Sequence, residues 1–514
     1  MEGLTKYTYM MKVIKNTVKA ITRHLFSLPS LGEGLGVGLL LLTSCDSYID
    51  ITPKGAVTID SARQYYELIV NPMRSYYPSS FAFLTDELWA KESNIIGYEN
   101  LSANGINFTF NEQADRTLYG DNNLYENMYA YILRSNLIID NIDAAEGSQD
   151  IKTLARAEAR TFRAWDHFLA VNTFAKAYDP ATAKTDGGVC IVTTSDLEQT
   201  PSKATVEDVY NFIIAELEDA VPMLQVKPQN IYHPNRAYGY GLLAQVYLHH
   251  RDWQKARDAA EKSLALNDAL VDYNDINAYR RGILDKNYGD KYGDDRNPEV
   301  LSYMWIGSGW NNEQAILYTY GIISPELKAM YKEEKNDLRY TLFFMESGQP
   351  STWFDAGSGA DMWIPTVQNS KFMYATVGMR TPEVYLILAE AEARLNNIGK
   401  AVQLLNTLRA KRIAGGNTDV ATPSSQTEMV KLIIKERRKE LLFGFHRFFD
   451  LKRLNIEPEY QKTITHVFPV VNISAAYPQQ TYTLLPTSRM YIIPFPHSAR
   501  DKNPNLTLNT DEKN

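Results

Sequence analysis

The sequence predicts a mainly α-helical protein: a scaffold of tetratricopeptide-like helical hairpins with long irregular loops. Three observations support this fold class. Several long segments place apolar residues at helical spacing, and two of them, Tyr238–Leu266 and Thr381–Arg412, share one internal spacing of small residues. Between them, 79–120, 268–320 and 340–375 are rich in Gly, Asn, Asp, Tyr and Trp and show little helical period.

The composition fits a folded protein and argues against nucleic-acid binding. The 514 residues are 44% hydrophobic and 22% charged, which is ordinary for a globular chain. The formal net charge is −8, and a phosphate backbone would require clustered Lys and Arg. The 33 Tyr outnumber the 19 Phe. Rings with a polar edge suit partly wet surfaces, although helix packing accounts for most of them.

Residues 1–44 have the order of a secretory signal peptide. A basic stretch precedes the apolar run Leu35–Leu42, which is much shorter than the ~20 residues of a membrane-spanning helix. Leu42-Thr43-Ser44-Cys45 follows and resembles a bacterial lipobox, in which the cysteine receives the lipid. We therefore expect Cys45 to carry acyl chains such as palmitate and to be the membrane anchor. The start codon is left open between Met1 and Met10 or Met11.

Three single helices are predicted ahead of the hairpins, at Leu124–Ile142, Leu154–Tyr178 and Thr205–Leu224. Asp179-Pro180 is expected to stop the second, because proline cannot continue a helix. Thr205 is expected to cap the third through its side-chain oxygen.

Two helical hairpins carry the repeat pattern. Ala244 and Ala256 are separated by 12 residues in the first hairpin, and Ala389 and Ala401 have the same separation in the second. Tetratricopeptide units place small residues at such positions so that paired helices approach closely. Trp253, at the turn of the first hairpin, is expected to pack onto its second helix. Unrelated amphipathic helix pairs are the alternative.

The stretch Glu436–Arg453 gathers acids and bases and looks catalytic at first sight. Glu436 and Glu440 are spaced to lie on one side of a helix, and a His–Asp pair repeats that spacing after Gly444, which is expected to break the helix. Ion pairing in a folded core explains this pattern better than acid–base catalysis. No serine, zinc, phosphate-loop or dinucleotide motif occurs, so we predict no catalytic residue, no metal site and no cofactor. A cryptic glycosidase would need two carboxylates across a sugar, and nothing marks such a pair.

Three clusters in the irregular segments combine rings with polar groups. A sugar ring offers an apolar face that aromatic side chains can cover, and hydroxyls that need polar partners. Packing in the core or within a loop is the alternative for each tryptophan. The candidate ligand-binding residues are Asp86, Trp89, Asn94 and Tyr98 in the first segment, Trp305, Trp310 and Asn311 in the second, and Trp353, with Trp363 nearby, in the third.

Four stretches, taken together and in order, carry the likeness to one family. They are Cys45–Pro53 (CDSYIDITP), Ala157–Phe168 (AEARTFRAWDHF), Arg380–Arg412, and Glu436–Arg453 completed by Tyr491–Pro494 and Asn503–Leu506. The chain resembles the SusD/RagB-type starch-utilisation lipoproteins of Bacteroidetes-like bacteria. Because the stretches span nearly the whole mature chain, the resemblance is specific even though each stretch alone is weak.

The resemblance implies a signal peptide over 1–44 and one SusD-like domain over 45–514, with an N-terminal part (45–230) and a C-terminal part (231–514). It implies a surface-exposed outer-membrane lipoprotein that binds oligosaccharide or polysaccharide and delivers it to a SusC-like TonB-dependent transporter. Peptide or glycopeptide binding, as in RagB-like members, and a tetratricopeptide adaptor that binds only protein are the alternatives. Neither the identity of the sugar nor the involvement of calcium follows from the sequence.

Overall fold

A computed structural model of the chain describes residues 59–70, 81–90, 103–118, 122–274, 297–302, 321–334, 336–343, 345–346, 363–364, 378–415, 419–442, 445–469 and 478–511. All of them belong to one unit, Ile59–Asn514. Long helices packed side by side dominate these ranges, and the strands form small two-stranded sheets. The predicted helical class is confirmed.

The helices are numbered in chain order. They are α1 (Ala62–Ile69), α2 (Ala103–Phe108), α3 (Asn122–Asn141), α4 (Gln149–Phe174), α5 (Val206–Ala220), α6 (Arg236–His250), α7 (Trp253–Leu266), α8 (Pro325–Lys332), α9 (Leu338–Phe343), α10 (Thr381–Arg394), α11 (Ile398–Arg409), α12 (Gln426–Glu440), α13 (His446–Leu454) and α14 (His497–Lys502). Short 3₁₀ turns lie at Phe81–Leu84, Val221–Met223 and Arg489–Tyr491.

The strands pair antiparallel, two by two. They are β1 (Leu88–Ala90) with β4 (Gly321–Ile323), β2 (Gly187–Cys190) with β3 (Lys203–Thr205), β5 (Met345–Glu346) with β6 (Trp363–Ile364), and β7 (Ile464–Phe468) with β8 (Gln480–Leu484). Each pair is too small to form a core of its own, so these strands decorate the helical scaffold.

The predicted N-terminal helices are present. Helices α3, α4 and α5 pack against one another in sequence order. Thr205 caps α5 as expected, because its Oγ1 accepts a hydrogen bond from the backbone N–H of Asp208 at 3.1 Å. This bond satisfies one of the donors that a helix start leaves unpaired.

Helix α4 ends at Phe174, earlier than the predicted stop at Asp179-Pro180. Side chains from distant parts of the chain satisfy the carbonyl groups of its last turn. The Lys452 ammonium donates to the carbonyl oxygens of Asn172 and Ala175, and the Asn509 amide donates to that of Phe174 at 2.8 Å. Because a helix end leaves such carbonyls unpaired, these tertiary donors allow the helix to stop without a local breaker.

The two repeat hairpins form as predicted. Helices α6 and α7 pack together, α10 and α11 pack together, and α7 lies against α10, so the hairpins stack. Ala244, Ala256, Ala389 and Ala401 are fully buried at these contacts. The turn of the second hairpin passes through Asn396 in the left-handed conformation, with φ of 66°, which asparagine tolerates better than most residues.

Trp253 joins the hairpins rather than only closing its own turn. The guanidinium carbon of Arg251 lies 5.4 Å from the centre of its ring, and that of Arg394, on α10, lies 4.8 Å away. A guanidinium over an indole face is attracted by the ring quadrupole. This stack therefore links the start of α7 to the end of α10.

The prediction that 79–120 and 340–375 lack regular structure is wrong in part. Helix α2 lies in the first segment, while most of α9 and the β5–β6 pair lie in the second. Such elements are too short to produce a periodic pattern that can be distinguished from chance. Phe108 on α2 is fully buried beside Phe83 and His466, so tertiary packing holds this helix in place.

Candidate functional site

The candidate site is built on the pairing of β1 with β4, which we call the ribbon. Leu88 pairs with Ile323 and Trp89 with Ile322. Successive side chains of a strand point to opposite faces. Leu88 is fully buried, whereas Trp89 is partly exposed. The buried leucine thus anchors the strand while the indole lies on its other face.

The β5–β6 pair lies beside the ribbon, with β6 in contact with β4. Trp363, from the third predicted cluster, is on β6 opposite Glu346. Within the ribbon, β1 belongs to the irregular segment 79–120, and β4 directly follows the irregular segment 268–320. The strands that carry Trp89 and Trp363, from the first and third predicted clusters, therefore both contact β4.

Of the predicted ligand residues, the structure describes Asp86 and Trp89. The others lie outside the described residues, as does the predicted lipidation site Cys45, and their roles stay predictions. They are Asn94, Tyr98, Trp305, Trp310, Asn311 and Trp353.

Asp86 is buried and held by ion pairs. Its side chain is 5% exposed, and its two carboxylate oxygens accept hydrogen bonds from Arg447 at 2.7 and 2.8 Å. Arg438 lies 3.2 Å from the same carboxylate. Burial alone would raise the pKa of Asp86, but the two guanidinium groups outweigh it and hold this pKa well below its usual range. The geometry assigns Asp86 a structural role, and its role as a ligand contact stays a prediction.

A second ion-paired carboxylate, that of Glu326, lies beside β4, the other strand of the ribbon. Glu326 follows β4 on α8, and its oxygens lie 2.7 Å from Arg438 and 2.9 Å from Lys462. Ser324 ties the strands together, since its hydroxyl donates to the carbonyl oxygen of Asp86 at 2.6 Å. Sequence reasoning missed Glu326, Ser324 and Lys462, because no motif marks residues that meet only through tertiary folding.

The acid-rich stretch is a buried ion-pair network, as predicted. Glu436 lies 2.5 Å from Arg339, and Glu440 lies 2.9 Å from Arg412. Burial would raise the pKa of Glu436, but Arg339 and neighbouring cations outweigh it and hold this pKa far below its usual range. Both carboxylates are therefore ionised and paired at neutral pH, which leaves neither available as a general acid.

The same network continues into α13. Asp450 lies 2.9 Å from Arg437 and 2.7 Å from Arg453, and Arg453 reaches Glu390 on α10 at 2.6 Å. Helix α12 ends at Glu440 and α13 begins at His446, so the break expected around Gly444 lies between the two charged pairs. These bonds fix α13 to the second repeat hairpin.

Within the ranges that the structure describes, His, Cys, Asp and Glu side chains form no group of three that could hold a metal ion. No helix among the described residues has both the length and the apolar character needed to cross a bilayer.

Two protein-family models together match most of the chain. Residues 71–248 match a family model described as starch-binding and associating with the outer membrane, and residues 285–511 match the model of the SusD family. Among curated proteins, the chain is 24% identical to the SusD-like protein P2 of Formosa agariphila, over 92% of this chain and 97% of that protein.

Solved structures show the same fold. A SusD superfamily protein from Bacteroides thetaiotaomicron superposes with a TM-score of 0.68 at 21% identity, over 88% of this chain and all of that one. A putative sugar-binding protein from Bacteroides vulgatus superposes with a TM-score of 0.64 at 20% identity, over 89% of this chain. The fold and site thus define a helical-repeat protein whose scaffold carries a tryptophan-bearing ribbon. The chain belongs to the SusD/RagB family.

Proposed function

We propose that this protein is a cell-surface lipoprotein of the outer membrane that binds oligosaccharide or polysaccharide nutrient and delivers it to a partner TonB-dependent transporter. The observation that carries the proposal is the placement of Trp89, which is partly exposed on one strand of the ribbon, with the strand bearing Trp363 alongside. No step in this function requires a bond to be made or broken.

The ribbon suits a sugar for physical reasons. An indole that is anchored at its strand but partly exposed can cover the apolar face of a pyranose without first leaving the core. Because the indole is already held in place, less conformational entropy is lost on binding. In this proposal Trp89 is the described ligand contact. Asn94, Tyr98, Trp305, Trp310, Asn311 and Trp353 supply further rings and hydroxyl partners.

The descriptions of similar proteins support the choice of a glycan as the ligand. One matching family model is described as starch-binding, and one structural neighbour is called a putative sugar-binding protein. These words describe those proteins, and we extend them to this chain because its ribbon carries the partly exposed Trp89. A peptide or glycopeptide ligand is the alternative within the same family.

The anchor and the partner complete the proposal. Acylation of Cys45 after cleavage of residues 1–44 would attach the protein to the outer membrane, and more than one acyl chain gives stable attachment. The stacked hairpins α6–α7 and α10–α11 are assigned to the transporter contact. This arrangement leaves the ribbon to the nutrient.

Isothermal titration calorimetry against a panel of oligosaccharides and peptides tests the proposed function. We expect heat and saturable binding with at least one glycan class and none with unglycosylated peptides. Binding of peptides without any response to glycans would overturn the sugar assignment. Release of shorter products from a bound glycan, followed by chromatography, would instead require a hydrolase.

A further inference from the structure

At one end of the ribbon, each of the two strands is flanked by a carboxylate. Asp86 lies two residues before β1, and Glu326 lies three residues after β4. Since Leu88 pairs with Ile323, the start of one strand and the end of the other are neighbours. The two carboxylates therefore mark one end of the ribbon.

Three cationic side chains from the C-terminal part of the chain bind these two carboxylates. Arg438 of α12 bridges both strands, with one guanidinium nitrogen 3.2 Å from Asp86 and another 2.7 Å from Glu326. Arg447 of α13 holds Asp86 through two bonds, and Lys462 lies 2.9 Å from Glu326. We call these five side chains the ribbon clamp.

The clamp is stiff because most of it is shielded from water. The side chains of Arg438, Arg447 and Asp86 are 4, 5 and 5% exposed. A guanidinium that binds a carboxylate through two parallel bonds fixes orientation as well as distance. Arg438 also donates to the backbone carbonyl of Asp86 at 3.3 Å, so the clamp holds the main chain that leads into β1.

We propose that Arg438 is a positioning residue for the ligand site: by bridging Asp86 and Glu326 it fixes both strands of the ribbon and so sets the orientation of the Trp89 indole toward a glycan. The inference rests on the proposed function, and it concerns a residue that touches no ligand. The scaffold helix α12 is thereby coupled to the aromatic site through one guanidinium group.

Arg437 provides a matched control on the same helix. It is the neighbouring residue, it is equally buried, and its guanidinium pairs with Asp450 at 2.9 Å. Its contacts run to α13 and not to the ribbon. Arg437→Gln and Arg438→Gln each remove one buried cation, so their general costs in stability are comparable, while only Arg438→Gln releases the ribbon.

The experiment combines calorimetry with fluorine NMR of 5-fluorotryptophan-labelled protein, in which Trp89→Phe assigns the Trp89 resonance. Arg438→Gln should shift or broaden that resonance in the free protein and weaken glycan binding about tenfold, since small misplacements of a contact are costly. Arg437→Gln should leave both unchanged. Glu326→Gln, whose side chain is 42% exposed, is a milder variant that tests the clamp if Arg438→Gln does not fold.

The outcomes separate the two claims. Absence of glycan heat from the wild-type protein overturns the proposed function itself. Normal wild-type binding with equal weakening in Arg437→Gln and Arg438→Gln overturns the positioning role and leaves the function standing. An unmoved Trp89 resonance in both Arg438→Gln and Glu326→Gln also overturns it.

Discussion

Trp89 lies opposite Ile322 in the antiparallel ladder of β1 and β4. This pairing joins a segment near the start of the domain to one from its second half, and β6 with Trp363 lies beside it. The strands that bear Trp89 and Trp363, which are far apart in the sequence, thus lie in one region of the scaffold.

Gly239→Ala should destabilise the fold by about 1–3 kcal/mol, because the added methyl overpacks a rigid contact. A Cβ at this position of α6 would lie 2.8 Å from Val221 and 2.9 Å from Leu224. Gly399→Ala on α11 is the control, since nothing lies within 4 Å of its added Cβ, and helix propensity favours alanine. Urea denaturation of both variants measures their free energies of unfolding. Equal stability of the two would contradict the close packing around Gly239.

Glu390→Gln should cost about 3 kcal/mol or more in the free energy of unfolding. The carboxylate accepts two bonds from Arg453, at 2.6 and 2.7 Å, and its own side chain is fully buried. Removing one partner leaves a buried charge that is poorly compensated. Glu428→Gln, which loses an exposed pair with Lys431, should change stability by less than about 0.5 kcal/mol. A loss below 1 kcal/mol for Glu390→Gln would count against the network.

His167 should make folding stability depend on pH between about 6.5 and 4. Its Nδ1 lies 2.8 Å from the carbonyl oxygen of Arg163, and its Nε2 accepts from the N–H of Val192 at 3.3 Å, so the neutral ring fits. Burial lowers its pKa to about 4. In this window the unfolded chain binds a proton that the native ring does not, so stability is full above pH 6.5 and is lost as pH falls.

His167→Gln should therefore flatten the stability profile between pH 6 and 4.5 by up to about 1.4 kcal/mol per pH unit. Denaturant melts at several pH values measure the slope. The same change at His497, which is exposed beside Asp501, serves as the control. Parallel profiles for wild type and His167→Gln would show that His167 titrates alike in the folded and unfolded chains.

Cys45→Ser should abolish acylation and release the protein from the membrane fraction. Metabolic labelling with a palmitate analogue and fractionation measure both effects. Cys190→Ser is the control, because Cys190 is buried, its Sγ lies 3.3 Å from the carbonyl oxygen of Pro201, and burial raises its pKa to about 11. Continued labelling of Cys45→Ser would exclude the proposed anchor.

The sequence was most informative where periodicity is strong. The alanine spacing of the hairpins predicted the close contacts at Ala244 and Ala389, and Thr205 was recognised as a cap because capping is local. The end of α4 could not be predicted, since its last carbonyls are satisfied by Lys452 and Asn509 from far along the chain.

The site was predicted less well than the scaffold. The ring of Trp89 and the polar residues near it predict a ligand contact, and the ribbon gives Trp89 a partly exposed position. The same grounds predict a ligand contact at Asp86, yet its carboxylate pairs with Arg447 and Arg438. A carboxylate that binds hydroxyls and one that holds an arginine look alike in a sequence, because the partner is supplied by tertiary folding.

The central claim is that the ribbon is the glycan site, and calorimetry on Trp89→Ala tests it most directly. We expect the dissociation constant for the glycan that the wild-type protein binds to rise about tenfold or more, since a central aromatic anchor carries a large share of binding energy. Trp253→Ala, which alters the repeat hairpins instead, should bind as the wild type does. Unchanged affinity in Trp89→Ala, with the variant folded, would contradict the claim.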